Sequence, residues 1–426
     1  MKTKYKNPPV TVGDYKSQAV TILPFDKAAY GHGNATLARE KLMKYGLPLF
    51  FFSQPKIPRF IRDWTALQYA LWAAEPYLER WEAEQKAAQK TTNPKGAGRK
   101  PMSAKVLFVT YLVQKLGKYS DVSMAEALTG DPTMLNQNDL AARACVLSLI
   151  DQGKDIKLPR RTVLQKYRGI FAHDGLLDQI KAAIIDMQLE HARAFIPDAT
   201  DGDTLEVGSA AIIDATFFEK DIDHLSRSER AALKKGKAYE FVGLRSFASE
   251  RQLNFTAAWA KKNNHSYYGF KGHFVVEALS KLVIDHTLTA ANIADIMELE
   301  PLALRCGERF TSLNELYADS GYCSNEREDN LKKAGIEPKF ITRTYRNANL
   351  TDEQKANNKE RSRIRVRVEH VFAFLKKDIG FKIRCAHDDN IRAEVDFAVL
   401  AHNINRMQCI YSGRYRRPKR VSVAVA

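Results

Sequence analysis

The sequence has few cysteines and no long apolar run. Its five cysteines are scattered, without a CxxC pair or a histidine cluster at zinc spacing, which excludes the usual structural zinc sites and indicates reduced thiols. The first ten residues, MKTKYKNPPV, lack an apolar signal core. No stretch approaches the roughly 18 apolar residues that a membrane span requires. These absences predict a soluble, cytoplasmic protein without a membrane partner.

Basic residues are in clear excess. The 426 residues include 66 Lys and Arg against 50 Asp and Glu, a formal net charge of +16. Such an excess favours a polyanionic partner such as DNA, although a solvated basic surface gives the same total. The 45% hydrophobic content over this length allows two or three domains, each with its own core. Where the basic residues lie in the chain must therefore decide between a DNA-binding surface and a solvated one.

The amino-terminal part is predicted to be irregular and then helical. Residues 1 to about 55 are rich in Pro, Gly and aromatics without a sustained period, which indicates an irregular arm. Apolar residues recur at helical spacing over 62–87, which predicts an amphipathic helix. Residues 86–101 are rich in Lys, Gly and Pro and are predicted to form an exposed basic linker. We group residues 1–96 as arm, helix and linker.

A series of apolar-periodic segments over 103–195 predicts an all-helical domain, which we assign to residues 97–207. One of its helices, opened by Thr162, carries several basic residues: Arg160, Arg161, Lys166 and Arg168. A helix-turn-helix that enters a DNA groove fits this pattern, and so does a helical bundle with an ordinary basic surface. A role in DNA binding or dimerisation is the expectation for this domain.

After residue 208 the pattern changes to strands. Residues 210–219, 266–278 and 282–290 are rich in β-branched and aromatic residues between turn formers. A helix from 293 to about 306, two shorter strands (NELYADS and EPKFITR) and the helix SNEREDNLKKAG follow. This order predicts an α/β domain with a mixed sheet and helical layers, which we place at 208–410.

Two basic segments accompany this domain. Residues 220–265, which include KKGK and WAKKNN, are predicted to be an irregular insertion. Residues 411–426 form a basic tail that suits nonspecific contact with the DNA backbone through counterion release. A disordered solubilising tail is an equally good interpretation of that segment.

Three carboxylates stand where strand ends of such a sheet converge: Asp214 in the first strand, Asp319 after LYA, and Glu369 in RVRVEHVFAFLKK. Mg²⁺ prefers hard oxygen ligands and usually takes one or two carboxylates per ion. Three carboxylates can therefore hold two ions that clamp the attacking and leaving oxygens of an in-line displacement. The pattern predicts phosphodiester chemistry with two Mg²⁺ ions, for which Mn²⁺ can substitute.

These motifs resemble the DDE transposases of bacterial insertion sequences, in particular the insertion-sequence-five group of the insertion sequence four/five superfamily. The resemblance covers roughly residues 97–408. Its matching pieces are IIDATFFEK, YYGFKGHFVVEALSKLVIDHTLTAANIADI, LYADSGYCS and RIRVRVEHVFAFLKK. It implies an RNase H-like catalytic domain behind a helical region, with Asp214, Asp319 and Glu369 as catalytic metal ligands.

The most specific piece surrounds the glutamate. Family members carry an Arg, three residues, the Glu, six residues and a Lys, which Arg365, Glu369 and Lys376 match. Spacings of four and seven place all three on one helical face. The alternation in RSRIRVRVEHV would by itself predict a strand, but only a helix brings the three into register. The family's Tyr, three residues before the Arg, is here Ser362.

Further residues are expected to contact DNA. The basic side chains that flank Glu369 are Arg361, Arg363, Arg365, Arg367 and Lys376. Lys271 and His273 resemble a K-x-H pair of the family, and their spacing puts them on one side of a strand. Two interpretations of this pair fit the sequence. The side chains contact phosphate of the DNA, or they form structural hydrogen bonds within the sheet. Asp295 is predicted to cap the following helix rather than bind metal.

The resemblance implies that water cuts the phosphodiester at an element end and that the freed 3′-hydroxyl attacks target DNA. The expected partners are double-stranded DNA, as terminal inverted repeats and as target, and further copies of the chain, because two ends must be held together. A homodimer or larger oligomer in the bacterial nucleoid follows. The alternatives are a domesticated DNA-binding regulator, against which the intact acidic residues argue, and a plain RNase H-like nuclease without strand transfer.

Overall fold

A computed structural model gives the fold of most of the chain. It describes residues 32–54, 56–92, 101–151, 156–196, 205–220, 231, 235, 256–262, 264–344, 349–385 and 387–415. The first part of the predicted arm, the centre of the linker, most of the insertion and the end of the tail lie outside these residues. No helix within them is long and apolar enough to cross a membrane.

The amino-terminal half is helical where it is described. Its helices are α1 (His32–Lys44), α2 (Arg59–Arg62), α3 (Trp64–Thr92), α4 (Ala104–Gly117), α5 (Asp121–Thr129), α6 (Gln137–Ile150), α7 (Arg161–His173) and α8 (Leu176–Phe195). The long α3 confirms the helix predicted over 62–87, but it continues to Thr92, so the predicted linker over 86–101 was wrong for residues 86–92. The prediction of an irregular arm was wrong for α1, which buries Ala38 and Leu42 and contacts α3 and α6. Tertiary contacts stabilise a helix with a weak apolar period.

One of the basic residues predicted on α7 does not face solvent. Arg168 is buried, and its guanidinium pairs with Asp121 and with Glu394, the latter at 2.8 Å. Arg160, Arg161 and Lys166 are exposed. The basic surface of α7 is therefore smaller than the sequence predicts.

The carboxyl-terminal half contains a mixed sheet. Its strands are β1 (Ala210–Glu219), β2 (Ala258–Lys262), β3 (His265–Glu277), β4 (Val283–Ala290), β5 (Glu315–Ala318) and β6 (Glu337–Phe340). The central strand β1 pairs antiparallel with β3 and parallel with β5, and β5 pairs parallel with β6. Both β2 and β4 pair with the far edge of β3, one after the other. The five strands predicted from the sequence are confirmed.

The strand β2 was not predicted. It lies in the segment WAKK that we interpreted as part of an irregular insertion, so that prediction was wrong for residues 258–262. Its two lysines and its half-exposed apolar residues give no run of buried positions. It is ordered because it lies along the amino-terminal half of β3.

Helices surround the sheet. They are α9 (Ile296–Arg309), α10 (Asn325–Lys333), α11 (Asp352–Arg365), α12 (Glu369–Ala373) and α13 (Asp388–Tyr411). The last of these contacts β4 on one side and α3, α4, α7 and α8 on the other. One continuous cluster of buried apolar side chains extends from Ala38 to Ile410. The helical region therefore packs directly on the sheet region through α13.

Candidate catalytic site

Asp214 lies in β1, where that strand is covered on both faces. The four residues before it, 210–213, are buried, as expected for a central strand with a continuous apolar run. Its carboxylate accepts two hydrogen bonds. The amide of Ala215 donates to Oδ1 at 2.8 Å, and the guanidinium of Arg365 donates to Oδ2 at 2.7 Å.

Asp319 follows the neighbouring parallel strand. Ile212 in β1 is aligned with Tyr317 in β5, and Asp214 and Asp319 each come two residues later. Because paired strands lie about 4.8 Å apart, this register places Asp214 beside Asp319, just past the end of β5. Asp319 caps the 3₁₀ turn Ser320–Tyr322, with the amide of Gly321 donating to its Oδ1 at 2.8 Å.

Glu369 lies on a helical segment that crosses beside β1 and β5. After α11 the chain makes a 3₁₀ turn (Val366–Val368), continues as α12 and ends in a π-type turn (Phe374–Asp378). The helical prediction is confirmed and the alternative strand is excluded. The predicted apolar stripe is buried: Val368, Val371, Phe372 and Leu375. Glu369 itself is exposed.

The helical segment departs from a uniform α-helix at both sides of Glu369. A 3₁₀ turn is tighter than an α-helix and a π-type turn is wider, so the simple register of Arg365, Glu369 and Lys376 is altered. The π-type turn contains Lys376, and such turns are frequent at functional sites. Partial burial and Lys262 lower the pKa of Lys376, and Glu219 and Glu369 oppose that shift, so Lys376 lies near Glu369.

The three carboxylates share one electrostatic environment. Burial raises the pKa of Asp214 to about 6, the Ala215 amide and Arg365 oppose that rise, and Asp319 and Glu369 add to it. Asp319 and Glu369 are therefore near enough to act on the charge of Asp214. Within the part of the chain that the structure describes, no three His, Cys, Asp or Glu side chains are already spaced to hold a metal ion. The donor set itself, three carboxylates, is the type that Mg²⁺ prefers.

The raised pKa of Asp214 predicts a pH-dependent stability. Its folded value of about 6 exceeds the ordinary 3.8, so folding favours the protonated carboxyl. That stability is fully present below about pH 4 and is lost as the pH rises through about 6. We expect Asp214→Asn, which cannot ionise, to exceed the wild type by about 1–3 kcal/mol at pH 7.5 and to match it near pH 4.

Urea unfolding of both proteins between pH 4 and pH 8 measures this difference. The difference between the free energies of unfolding of the two proteins at each pH reports the ionisation of Asp214, because the other titrating groups are common to both. A wild type that loses no stability relative to Asp214→Asn across that range would contradict the assigned burial.

The residues predicted to contact DNA have different environments. Arg363 and Lys376 are exposed, and Arg365 is partly exposed beside Asp214. Arg361 donates to the carbonyl oxygen of Phe340 at 2.5 Å, and the buried Arg367 donates to that of Ala278 at 2.9 Å. These backbone contacts order the helical segment against the sheet. The DNA role of each residue stays a prediction.

The K-x-H pair is largely enclosed. Lys271 contacts Asp295 at 2.7 Å and donates to the carbonyl of Ile293 at 2.6 Å. His273 is fully buried with Nε2 at 2.9 Å from the Thr289 hydroxyl, and burial lowers its pKa to about 4. These contacts favour the structural alternative. The prediction for Asp295 was half right: it is the N-cap residue of α9, but its side chain pairs with Lys271 instead of capping.

Sequence reasoning missed Tyr322. It is buried at the end of the 3₁₀ turn that begins after Asp319, and its hydroxyl has no hydrogen-bond partner within the described part of the chain. Burial raises its pKa well above the usual range, and Asp214 and Asp319 add to the effect. A tyrosine three residues after a candidate ligand was the only signal, and it does not indicate which way the ring points.

A mixed sheet that brings acidic residues from two parallel strands beside a glutamate on a crossing helix is consistent with a phosphoryl-transfer enzyme acting on nucleic acid. Residues 206–404 match the family described as Transposase DDE domain. The matched part of the chain is therefore a transposase DDE domain, which supports an enzymatic DNA transposase of an insertion sequence.

A curated relative is the transposase for insertion sequence element IS1106 of Neisseria meningitidis serogroup B. It is 27% identical over 243 residues, which is 57% of this chain and 76% of that protein. No solved structure shows a significant match to the chain.

Proposed function

We propose that this transposase cuts the phosphodiester at the ends of its element and joins the freed 3′-hydroxyl to target DNA, with divalent metal ions held by Asp214, Asp319 and Glu369. The observation that carries the proposal is the equivalent register of Asp214 and Asp319 on paired parallel strands, with Glu369 on the helical segment that packs beside them. The spacing of Arg365, Glu369 and Lys376 supports the insertion-sequence-five group.

The fold supports the same proposal. In the sheet, β3 runs antiparallel between β4 and β1, and β1, β5 and β6 run parallel; this strand order supports an RNase H-like domain. We assign that domain to residues 208–410 and the DNA-binding or dimerisation region to 97–207. Two element ends must be held at once, so we propose a homodimer or larger assembly on DNA.

Each residue of the site has a separate role in this proposal. Bound Mg²⁺ or Mn²⁺, two ions in our proposal, supplies Lewis acidity at the scissile phosphate. Asp214 would orient its oxygens from within β1 and Asp319 from just after β5, and Glu369 would complete the donor set from the helix. The exposed Arg363 and Lys376 attract the DNA backbone, and this binding weakens at higher salt because the release of condensed counterions then gains less entropy. Burial of the apolar stripe beneath Glu369 fixes the helix on the sheet.

A direct assay tests this function. Labelled duplexes that carry the inverted repeats flanking the gene are incubated with the protein and Mg²⁺ or Mn²⁺. We expect a 3′-hydroxyl at the element boundary and then a product joined to target DNA. Duplexes with scrambled ends are the control and should stay intact. Cleavage without joining would define a plain nuclease, and binding without cleavage a DNA-binding regulator, so either outcome overturns the proposal.

A further inference from the structure

Arg365 pairs with the carboxylate of Asp214, one of the proposed metal ligands. Its guanidinium donates to Oδ2 of Asp214 at 2.7 Å, while Oδ1 already accepts the amide of Ala215. Both oxygens of Asp214 are thus engaged within the protein. The side chain of Asp214 is 13% exposed and that of Arg365 is 24% exposed, so this ion pair lies at the wall of the site and not deep in the core.

A guanidinium and a divalent cation do not share one carboxylate oxygen without cost. Their charges repel, and at a few ångströms in a partly buried site such repulsion is far stronger than in water. A metal ion that binds Asp214 must displace Arg365 or share the oxygen against that repulsion. In free protein the ion pair therefore competes with metal binding.

DNA offers Arg365 another partner. A phosphate accepts a guanidinium with two parallel hydrogen bonds, a geometry for which Arg is better suited than Lys. Arg365 is the last residue of α11, and the exposed Arg363 and Lys376 lie on the same helical segment. A backbone drawn to that surface comes within reach of Arg365. Glu369 follows after one 3₁₀ turn, so a movement of Arg365 acts next to the third ligand.

We infer that Arg365 couples DNA binding to metal binding: it holds Asp214 in the free protein and releases it when a phosphate of the bound DNA takes its guanidinium. This inference rests on the proposed metal ligands and adds a role for the arginine beyond phosphate contact. By linkage, DNA strengthens metal binding and metal strengthens DNA binding by the same factor. The arrangement limits cleavage competence to the DNA-bound state.

The test measures binding and not turnover. Mn²⁺ affinity of the full chain is determined by electron paramagnetic resonance at fixed ionic strength, alone and with a duplex of the element end, with Mn²⁺ bound by the duplex alone subtracted. For the wild type we expect the duplex to tighten Mn²⁺ binding about ten-fold or more, within the usual range of such couplings. Arg365→Gln should bind Mn²⁺ tightly without DNA, and the duplex should then change its affinity less than about three-fold.

Lys359→Gln is the matched control. It removes one positive charge from the exposed side of the same helix, six residues before Arg365, and should behave as the wild type. Thermal unfolding establishes that each variant is folded. The reciprocal measurement, duplex affinity with and without Mn²⁺, should give the same coupling factor for the wild type and lose it in Arg365→Gln.

Two failures are distinguishable. If Arg365→Gln binds Mn²⁺ no more tightly than the wild type without DNA, or keeps the full coupling, the inference about Arg365 is overturned and the metal ligands stand. If Asp214→Asn leaves Mn²⁺ binding to the DNA complex unchanged, the proposed function itself loses its metal site.

Discussion

Asp214→Asn is expected to reduce cleavage of end-containing duplex by roughly 10³-fold or more, while the duplex, titrated without divalent metal, binds the variant at least as tightly as the wild type. The amide keeps the shape of the carboxylate but loses the charge that a divalent cation requires. The wild-type and variant proteins differ by one non-hydrogen atom in a side chain that is 13% exposed, so the fold is retained. Single-turnover cleavage and a duplex-binding titration measure the two quantities.

Asp319→Asn and Glu369→Gln should give the same separation of cleavage from binding. Asp329→Asn is the control, because Asp329 is an exposed acid on α10 with no role in the site, and its cleavage rate should equal that of the wild type. Retained cleavage in any one of the three site variants would remove that residue from the metal ligands.

Arg168→Met is expected to lower the free energy of unfolding by about 3–5 kcal/mol. Arg168 on α7 is buried and pairs with Asp121 and with Glu394 of α13, and Lys115 also pairs with Glu394. Burial raises the pKa of Glu394, but Arg168 and Lys115 overcome that effect and hold it below its usual range. Removing the guanidinium takes one cationic partner from both Asp121 and Glu394. A buried carboxylate without its full set of partners is costly.

Urea unfolding near neutral pH measures this loss. Arg161→Met is the matched control, since Arg161 is exposed on the same helix and its replacement should change stability by less than about 0.5 kcal/mol. Adding Glu394→Gln and Asp121→Asn to Arg168→Met should recover part of the stability, because no unpaired acid then remains. A loss below about 1 kcal/mol in the single variant would show that the network does not join α7 to α13.

The sequence was most informative where a pattern is local and repeated. The bounds of β1 follow directly from its run of apolar and β-branched residues, because a central strand is covered on both faces. The helix around Glu369 was predicted in spite of a misleading two-residue alternation, since Val368, Val371, Phe372 and Leu375 continue a helical period. The interpretation of the spacing of Arg365, Glu369 and Lys376 relied on the same helical period.

Elements that are stabilised by distant contacts escaped prediction. The helix α1 and the strand β2 have weak patterns and are ordered by packing on α6 and pairing with β3. The long helix α13, which joins the helical region to the sheet, was not singled out either. The partners of side chains were the hardest feature to predict from the sequence. Lys271 pairs with Asp295, and the hydroxyl of Tyr322 is buried near Asp214 and Asp319.

The sequence by itself determined the residue types of the site and the strands and helix that carry them, because periodicity records which face of an element is apolar. The tertiary structure alone decided which charges meet. Arg365 and Asp214 are 151 residues apart in the chain, yet their side chains are 2.7 Å apart. That distance depends on how β1, β5 and α11 pack. Burial raises the pKa of Asp214, Arg365 opposes that rise, and the partly buried site strengthens the attraction between the two charges.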